Sequence, residues 1–124
     1  APRGALLAAR AAFEAGDLDQ ARSHLDWVIA NAKEDELRAI ARLRLAGLLL
    51  DLKKPEEALA VLDAKHPQSF EGLFLDARGD VFLALGRYAD AKTAFEAALP
   101  KLDARGALRN YTQVKLDYAA GAAK

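Results

Sequence analysis

The sequence predicts an all-α domain, a right-handed solenoid of antiparallel helix pairs closed by a C-terminal capping helix. Three observations predict it. One short pattern occurs three times, with its anchoring alanines Ala21, Ala58 and Ala91 standing 37 and 33 residues apart. Apolar residues recur three or four positions apart along most of the chain, which places them on one face of a helix. No stretch alternates apolar and polar residues for long enough to make a half-buried strand, and β-branched residues are scarce.

Seven helices follow in order. The first, over 4–15, carries Leu6, Ala9 and Phe13 on one face. The second, over 18–31, carries Leu18, Ala21, Leu25 and Val28, and Asp17 with Gln20 resembles a capping box at its start. Ile40, Leu43, Gly47 and Leu50 mark the third, over 36–52. Asp35-Glu36 stands at its entry, where negative charge offsets the helix dipole. The fourth, over 55–64, begins on Pro55, whose missing N–H would be unpaired at that position anyway. The fifth, over 69–85, takes Ser69 as N-cap and carries Leu75, Val81, Phe82 and Leu85. Gly86 ends it, because glycine adopts positive φ at little cost. The sixth covers 88–99. The seventh, over 105–119, mixes Leu108, Tyr111, Val114, Leu116 and Tyr118 with Arg109, Asn110, Gln113, Lys115 and Asp117. That mixture suits a helix capping a stack with a polar outer face.

The three copies are Gly16-Asp17-Leu18-Asp19-Gln20-Ala21, Lys53-Lys54-Pro55-Glu56-Glu57-Ala58 and Gly86-Arg87-Tyr88-Ala89-Asp90-Ala91. The third extends furthest, as Gly79-x-x-Phe82, then Gly86-x-Tyr88-x-x-Ala91-x-x-x-Phe95-x-x-Ala98. It resembles the tetratricopeptide signature, whose period is about 34 residues. Small residues at Gly79 and Ala91 suit a close helix crossing, with Phe82, Tyr88 and Phe95 filling the space around it. The chain then reads as one domain, 1–124: repeat 1 at about 2–33, repeat 2 at about 36–67, repeat 3 at about 69–102, and a capping helix at about 105–119.

Composition excludes several function classes. Lys plus Arg and Asp plus Glu both number 18, so no net charge marks the chain for nucleic acid or for a membrane surface. Without cysteine there is no disulfide and no thiolate metal site. The apolar run Leu45–Leu50 stops at Asp51, far short of the ~20 residues a bilayer requires. Direct membrane contact by this stretch is not expected. No initiator methionine precedes Ala1-Pro2-Arg3, and the first helix lacks a cap. It is therefore expected to pack on helices upstream.

Catalytic, cofactor and metal sites are not expected. His24 and His66 are the two histidines, and neither has converging carboxylates or thiolates around it in the pattern. Both read as solvated or capping histidines, His24 on the second helix and His66 in a loop before Pro67. Glu56-Glu57 and Asp35-Glu36 are explained by their places in first helical turns. The glycines form no phosphate loop and no nucleophile elbow. Trp27 reads as partly buried against the following helix pair rather than as an exposed anchor. Arg38, Arg42 and Arg44 read as a solvated face paired with Glu34 and Glu36; a clamp for a ligand carboxylate is the sharper alternative.

A binding surface can still be placed. In stacked helix pairs the first helix of each pair lines the concave side, and register counted from Ala21, Ala58 and Ala91 gives the inward positions. They are Leu6, Arg10 and Phe13, with Arg3, in repeat 1; Ile40, Leu43 and Leu50, with Gly47, in repeat 2; and Leu73, Asp76, Asp80 and Leu83 in repeat 3. Such a mixed surface suits an extended or helical peptide with apolar anchors. The competing reading is that leucines such as Leu43 and Leu50 only pack between repeats.

A closer resemblance spans nearly the whole chain. Gly16-Asp17-Leu18, Leu25-Asp26-Trp27-Val28-Ile29-Ala30-Asn31-Ala32-Lys33 and Ala41-Arg42-Leu43-Arg44-Leu45-Ala46 carry it first. Ala58-Leu59-Ala60-Val61-Leu62-Asp63, Arg78-Gly79-Asp80 and Gln113-Val114-Lys115-Leu116-Asp117 follow in order. The chain is similar to the YfgM-like ancillary subunit of the bacterial Sec translocon. That resemblance implies a periplasmic adaptor domain, anchored in the inner membrane by a helix upstream of Ala1. It implies partners among translocon subunits and a membrane-anchored, prolyl-isomerase-like periplasmic chaperone. The alternatives are a generic scaffold in another envelope or cytosolic assembly and, with less support, an enzyme or small-ligand domain.

Overall fold

A computed structural model describes all 124 residues, which form seven α-helices and no strand. The helices are α1 (Pro2–Glu14), α2 (Leu18–Asn31), α3 (Asp35–Asp51), α4 (Pro55–Leu62), α5 (Glu71–Ala84), α6 (Tyr88–Ala98) and α7 (Ala107–Ala122). Short 3₁₀ turns precede α5 and follow α6. Each helix packs chiefly on its neighbours in sequence, and next-but-one contacts join α1 to α3 and α3 to α5. This is the contact pattern of an open stack of helix pairs, in which each unit touches only the next.

The turns inside the three pairs are built alike. Gly16, Lys53 and Gly86 all adopt positive φ, at 82°, 63° and 72°. In each, two nested hydrogen bonds close the preceding helix: Asp17 N–H to Ala12 O with Gly16 N–H to Phe13 O, and the same pattern at Lys54/Leu49 with Lys53/Leu50 and at Arg87/Phe82 with Gly86/Leu83. That is the Schellman arrangement, which satisfies carbonyls a helix end would leave unpaired. Lysine therefore occupies, in the middle turn, a conformation that its neighbours assign to glycine.

Capping departs from expectation in two places. Asp17 caps α2 by accepting from the Gln20 N–H at 3.2 Å, but the Gln20 side chain does not reach back. Ser69 is not an N-cap: it lies in the 3₁₀ turn, and α5 starts at Glu71 without a side-chain cap. Pro67 ahead of it favours extended backbone at His66 and displaces the helix start.

A main core runs from α1 to α5 and includes Ala9, Ala21, Leu25, Val28, Leu45, Leu49, Ala58, Leu62, Phe74 and Val81. A smaller one joins Phe82, Ala91, Ala94 and Phe95 to Ala119 of α7. Alanine fills many of these positions, so backbones approach closely and little side-chain entropy is lost. Trp27 belongs to neither core and is 44% exposed, while its neighbour Val28 is fully buried.

The outer face of α7 is mixed: Asn110, Gln113 and Asp117 stand exposed on it beside large apolar side chains. The helix turns Thr112, Lys115 and Ala119 inward and leaves Tyr111, Val114 and Tyr118 exposed. The reason lies across the interface: Asp76 and Asp80 of α5 draw the polar side of α7 toward them. Thr112 Oγ1 donates to Asp76 at 2.6 Å, and the Lys115 ammonium reaches Asp76 at 3.0 Å and Asp80 at 2.7 Å.

Candidate partner-binding groove

One groove of about 570 Å³ opens on the concave side of the stack. Ala9, Arg10 and Phe13 of α1 form one wall, with Ala21 and Leu25 of α2 behind them. Arg44, Gly47, Leu48, Leu50 and Asp51 of α3 form the floor. Asp80 of α5 and Tyr111 of α7 close the far end. The size falls within the usual range of about 300–1,000 Å³ for ligand sites.

The concave residues read from the register divide into three groups. Arg10, Phe13, Leu50 and Asp80 line the groove together, with Gly47 between them. Ile40 and Leu43 are half-buried against the main core, and Leu73 and Leu83 are half-buried beyond the groove. Leu6 and Asp76 are withdrawn from the surface, at 7% and 6% exposure. Leu6 is a core residue, and Asp76 is spent on Thr112 and Lys115. Leu43 and Leu50 thus part company: Leu50 has a face on the groove, whereas Leu43 serves packing.

Charge in the groove is partly neutralised within the chain. Arg10 pairs with Glu14 one turn away at 3.0 Å, both well exposed. Burial pushes the Asp80 carboxyl above its ordinary value, against the opposing pull of Lys115. Burial also works against the Lys115 ammonium, but Asp80 and then Asp76 outweigh it, and its pKa stands above the ordinary lysine value. The expected pairing of the arginine run with Glu34 and Glu36 does not form. Arg38 binds Asp35 and the Ala32 carbonyl, Arg42 donates to the Val61 carbonyl at 3.1 Å, and Glu34 pairs with Arg3. Arg44 and Asp51 have no ion pair in the chain.

His66 stacks on Phe74 with ring centroids 3.8 Å apart, its Nδ1 2.9 Å from the Ala64 carbonyl oxygen and its Nε2 3.4 Å from Glu71. It braces the turn into α5. His24 is half-buried on α2, and no group of three His, Asp or Glu side chains converges. Among the polar lining residues, the register missed Arg44, Asp51 and Tyr111. Asp51 follows Arg44 by two turns on one helix face, a local signal that was available. Tyr111 reaches the groove only because α7 folds back over α5.

An open stack of short helix pairs with an apolar, ion-rimmed concave groove defines a repeat domain of the protein-interaction class. The chain belongs to the tetratricopeptide repeat-like domain family, whose model matches residues 1–121. It is 36% identical to the ancillary SecYEG translocon subunit of Neisseria gonorrhoeae over 94% of this chain and 56% of that protein. It is 31% identical to the ancillary SecYEG translocon subunit of Escherichia coli over 82% of this chain and 48% of that protein. The corresponding protein of Haemophilus influenzae is 29% identical over 73% of this chain and 44% of its own length. The chain thus spans about half the length of the curated relatives it matches. No solved structure matches it significantly. No helix of the chain is long and apolar enough to cross a membrane.

Proposed function

We propose that this chain is the partner-holding domain of an ancillary translocon subunit. It stands on the periplasmic side of the inner membrane and holds a translocon component or a chaperone there for the handover of secreted proteins. The observation that carries the reading is the similarity to ancillary SecYEG translocon subunits over 94% of the chain. The groove supplies the means. Phe13 and Leu50 offer apolar surface above the buried Leu25 and Leu48, worth roughly 25 cal/mol per Å² buried before the entropic costs of association. Arg10 and Asp51 at its rim set orientation more than affinity.

Photocrosslinking in cells carrying the full-length protein tests this reading. Crosslinkers at Arg10 and Phe13 are expected to capture a translocon subunit or a periplasmic chaperone. Gln20 on α2 and Lys92 on α6 serve as controls, away from the groove lining. Capture from the controls alone would put the site on another face. Capture of unrelated proteins from the groove positions would favour a scaffold in a different assembly.

A further inference from the structure

We propose that the groove receives a single α-helical segment of a protein partner, laid antiparallel to α3. This segment sets a large apolar side chain over Gly47, a carboxylate against Arg44 and a cation against Asp51. The proposal rests on the groove being the partner site and specifies what that partner must present.

Gly47 is the first observation. After proline, glycine is the least favourable residue for a helix interior. Two helical glycines of this chain are explained by their neighbours: a Cβ at Gly79 would stand 2.3 Å from Phe95, and one at Gly72 2.8 Å from the Lys101 carbonyl oxygen. A Cβ at Gly47 meets nothing within 4 Å. Gly4 and Gly121 also face open space, but they sit in terminal turns. Gly47 lies inside α3, one turn before its last residue Asp51 and on the groove floor, and no part of this chain uses the room it leaves. A bare backbone there lets another helix approach at the short end of the usual interaxial range of about 8–10 Å.

The second observation is charge. Arg44 and Asp51 stand three residues before and four after Gly47, on one face of α3, and both line the groove. At about 1.5 Å rise per residue they lie roughly 10 Å apart along the helix. Neither has an ion pair within the chain, whereas Arg10 is held by Glu14 and Asp80 by Lys115. A partner helix places residues j, j+4 and j+7 on one face at the same spacing. Laid antiparallel, it brings the positive end of its dipole toward Asp51 and the negative end toward Arg44. A parallel helix would oppose both. The partner motif is therefore a cation, an apolar anchor four residues on, and an acid three residues after that.

Two helical peptides of about 16 residues test the register, one carrying Lys-x-x-x-Trp-x-x-Glu and one with Lys and Glu exchanged. Fluorescence anisotropy at low salt reads their binding to the full-length protein. The first peptide is expected to bind about tenfold tighter than the second, a modest value for ion pairs at a rim. Arg44→Glu combined with Asp51→Lys is expected to invert that preference. Gly47→Leu is expected to abolish binding of both peptides without lowering the thermal midpoint. Binding of neither peptide, equal binding, the opposite preference in the wild-type protein, or a preference unmoved by the double reversal would overturn the proposal. Crosslinks from Phe13 in the presence of such a failure would leave the groove standing as the partner site and discard only this register. Absence of both would discard the two together.

Discussion

Phe95 rests so closely on Gly79 that a Cβ at position 79 would stand 2.3 Å from its Cε1 atom. Phe95 is fully buried, as is Ala91 one turn before it on α6. The α5–α6 pair is thus closed by a ring lying where a side chain would otherwise be. Gly79→Leu and Ala91→Leu are expected to destabilise the domain by about 3 kcal/mol each, the upper end for overpacking a filled core. Equilibrium denaturation in urea measures this. An unchanged midpoint in both variants would mean that the crossing tolerates volume that the geometry denies it.

The three Schellman turns give a matched set of substitutions. Gly86, at φ 72°, has no neighbour within 4 Å, so Gly86→Ala tests the backbone alone. A loss of about 1 kcal/mol is expected, the cost of a Cβ in the left-handed region. Lys53→Gly relieves the same strain at φ 63° and is expected to stabilise by up to about 1 kcal/mol. Opposite signs at the two sites, read from thermal midpoints, are the outcome required.

Gly47→Ala reports on the groove floor without a partner. Its Cβ enters open space, so only helix propensity changes, and a gain of about 1 kcal/mol is expected. A loss of stability would show that something in the folded chain occupies that space.

Lys115 ties α7 to α5. Its side chain is 10% exposed and that of Asp76 9%, so Lys115→Met leaves a buried carboxylate with Thr112 as its remaining partner. A loss of about 3 kcal/mol is expected at neutral pH. The sign with pH follows from the raised lysine pKa. Its contribution is fully present below the unfolded value of 10.5 and is lost as pH rises through the higher folded value. The stability difference between the protein and Lys115→Met should therefore shrink above pH 10.5. A difference that stayed constant through that range would mean the ammonium does not carry the link.

Elemental analysis of protein purified without chelator is expected to find no stoichiometric transition metal. His66 is committed to Phe74 and Ala64, and no cluster of carboxylates surrounds either histidine. One equivalent of bound metal would require a donor set that this fold does not bring together.

Helix number, helix order and the crossing residues were all legible in the residues themselves. Each depends on spacings of three, four or about 34 positions, which the chain states directly. The same holds for Arg10, Phe13, Gly47, Leu50 and Asp80, whose inward facing follows from register alone. Helix ends were less legible, as at Ser69, because caps depend on the path of the preceding loop. What register could not supply was which inward residues stay open to solvent. Asp76 is closed off by Thr112 and Lys115, 36 and 39 residues further on, and Tyr111 becomes a wall of the groove through the same docking of α7. The mixed face of that helix could have turned either way. The buried carboxylate of Asp76, with the half-buried Asp80 beside it, decided it, since leaving Asp76 unpaired would cost more than exposing Tyr111, Val114 and Tyr118 to water.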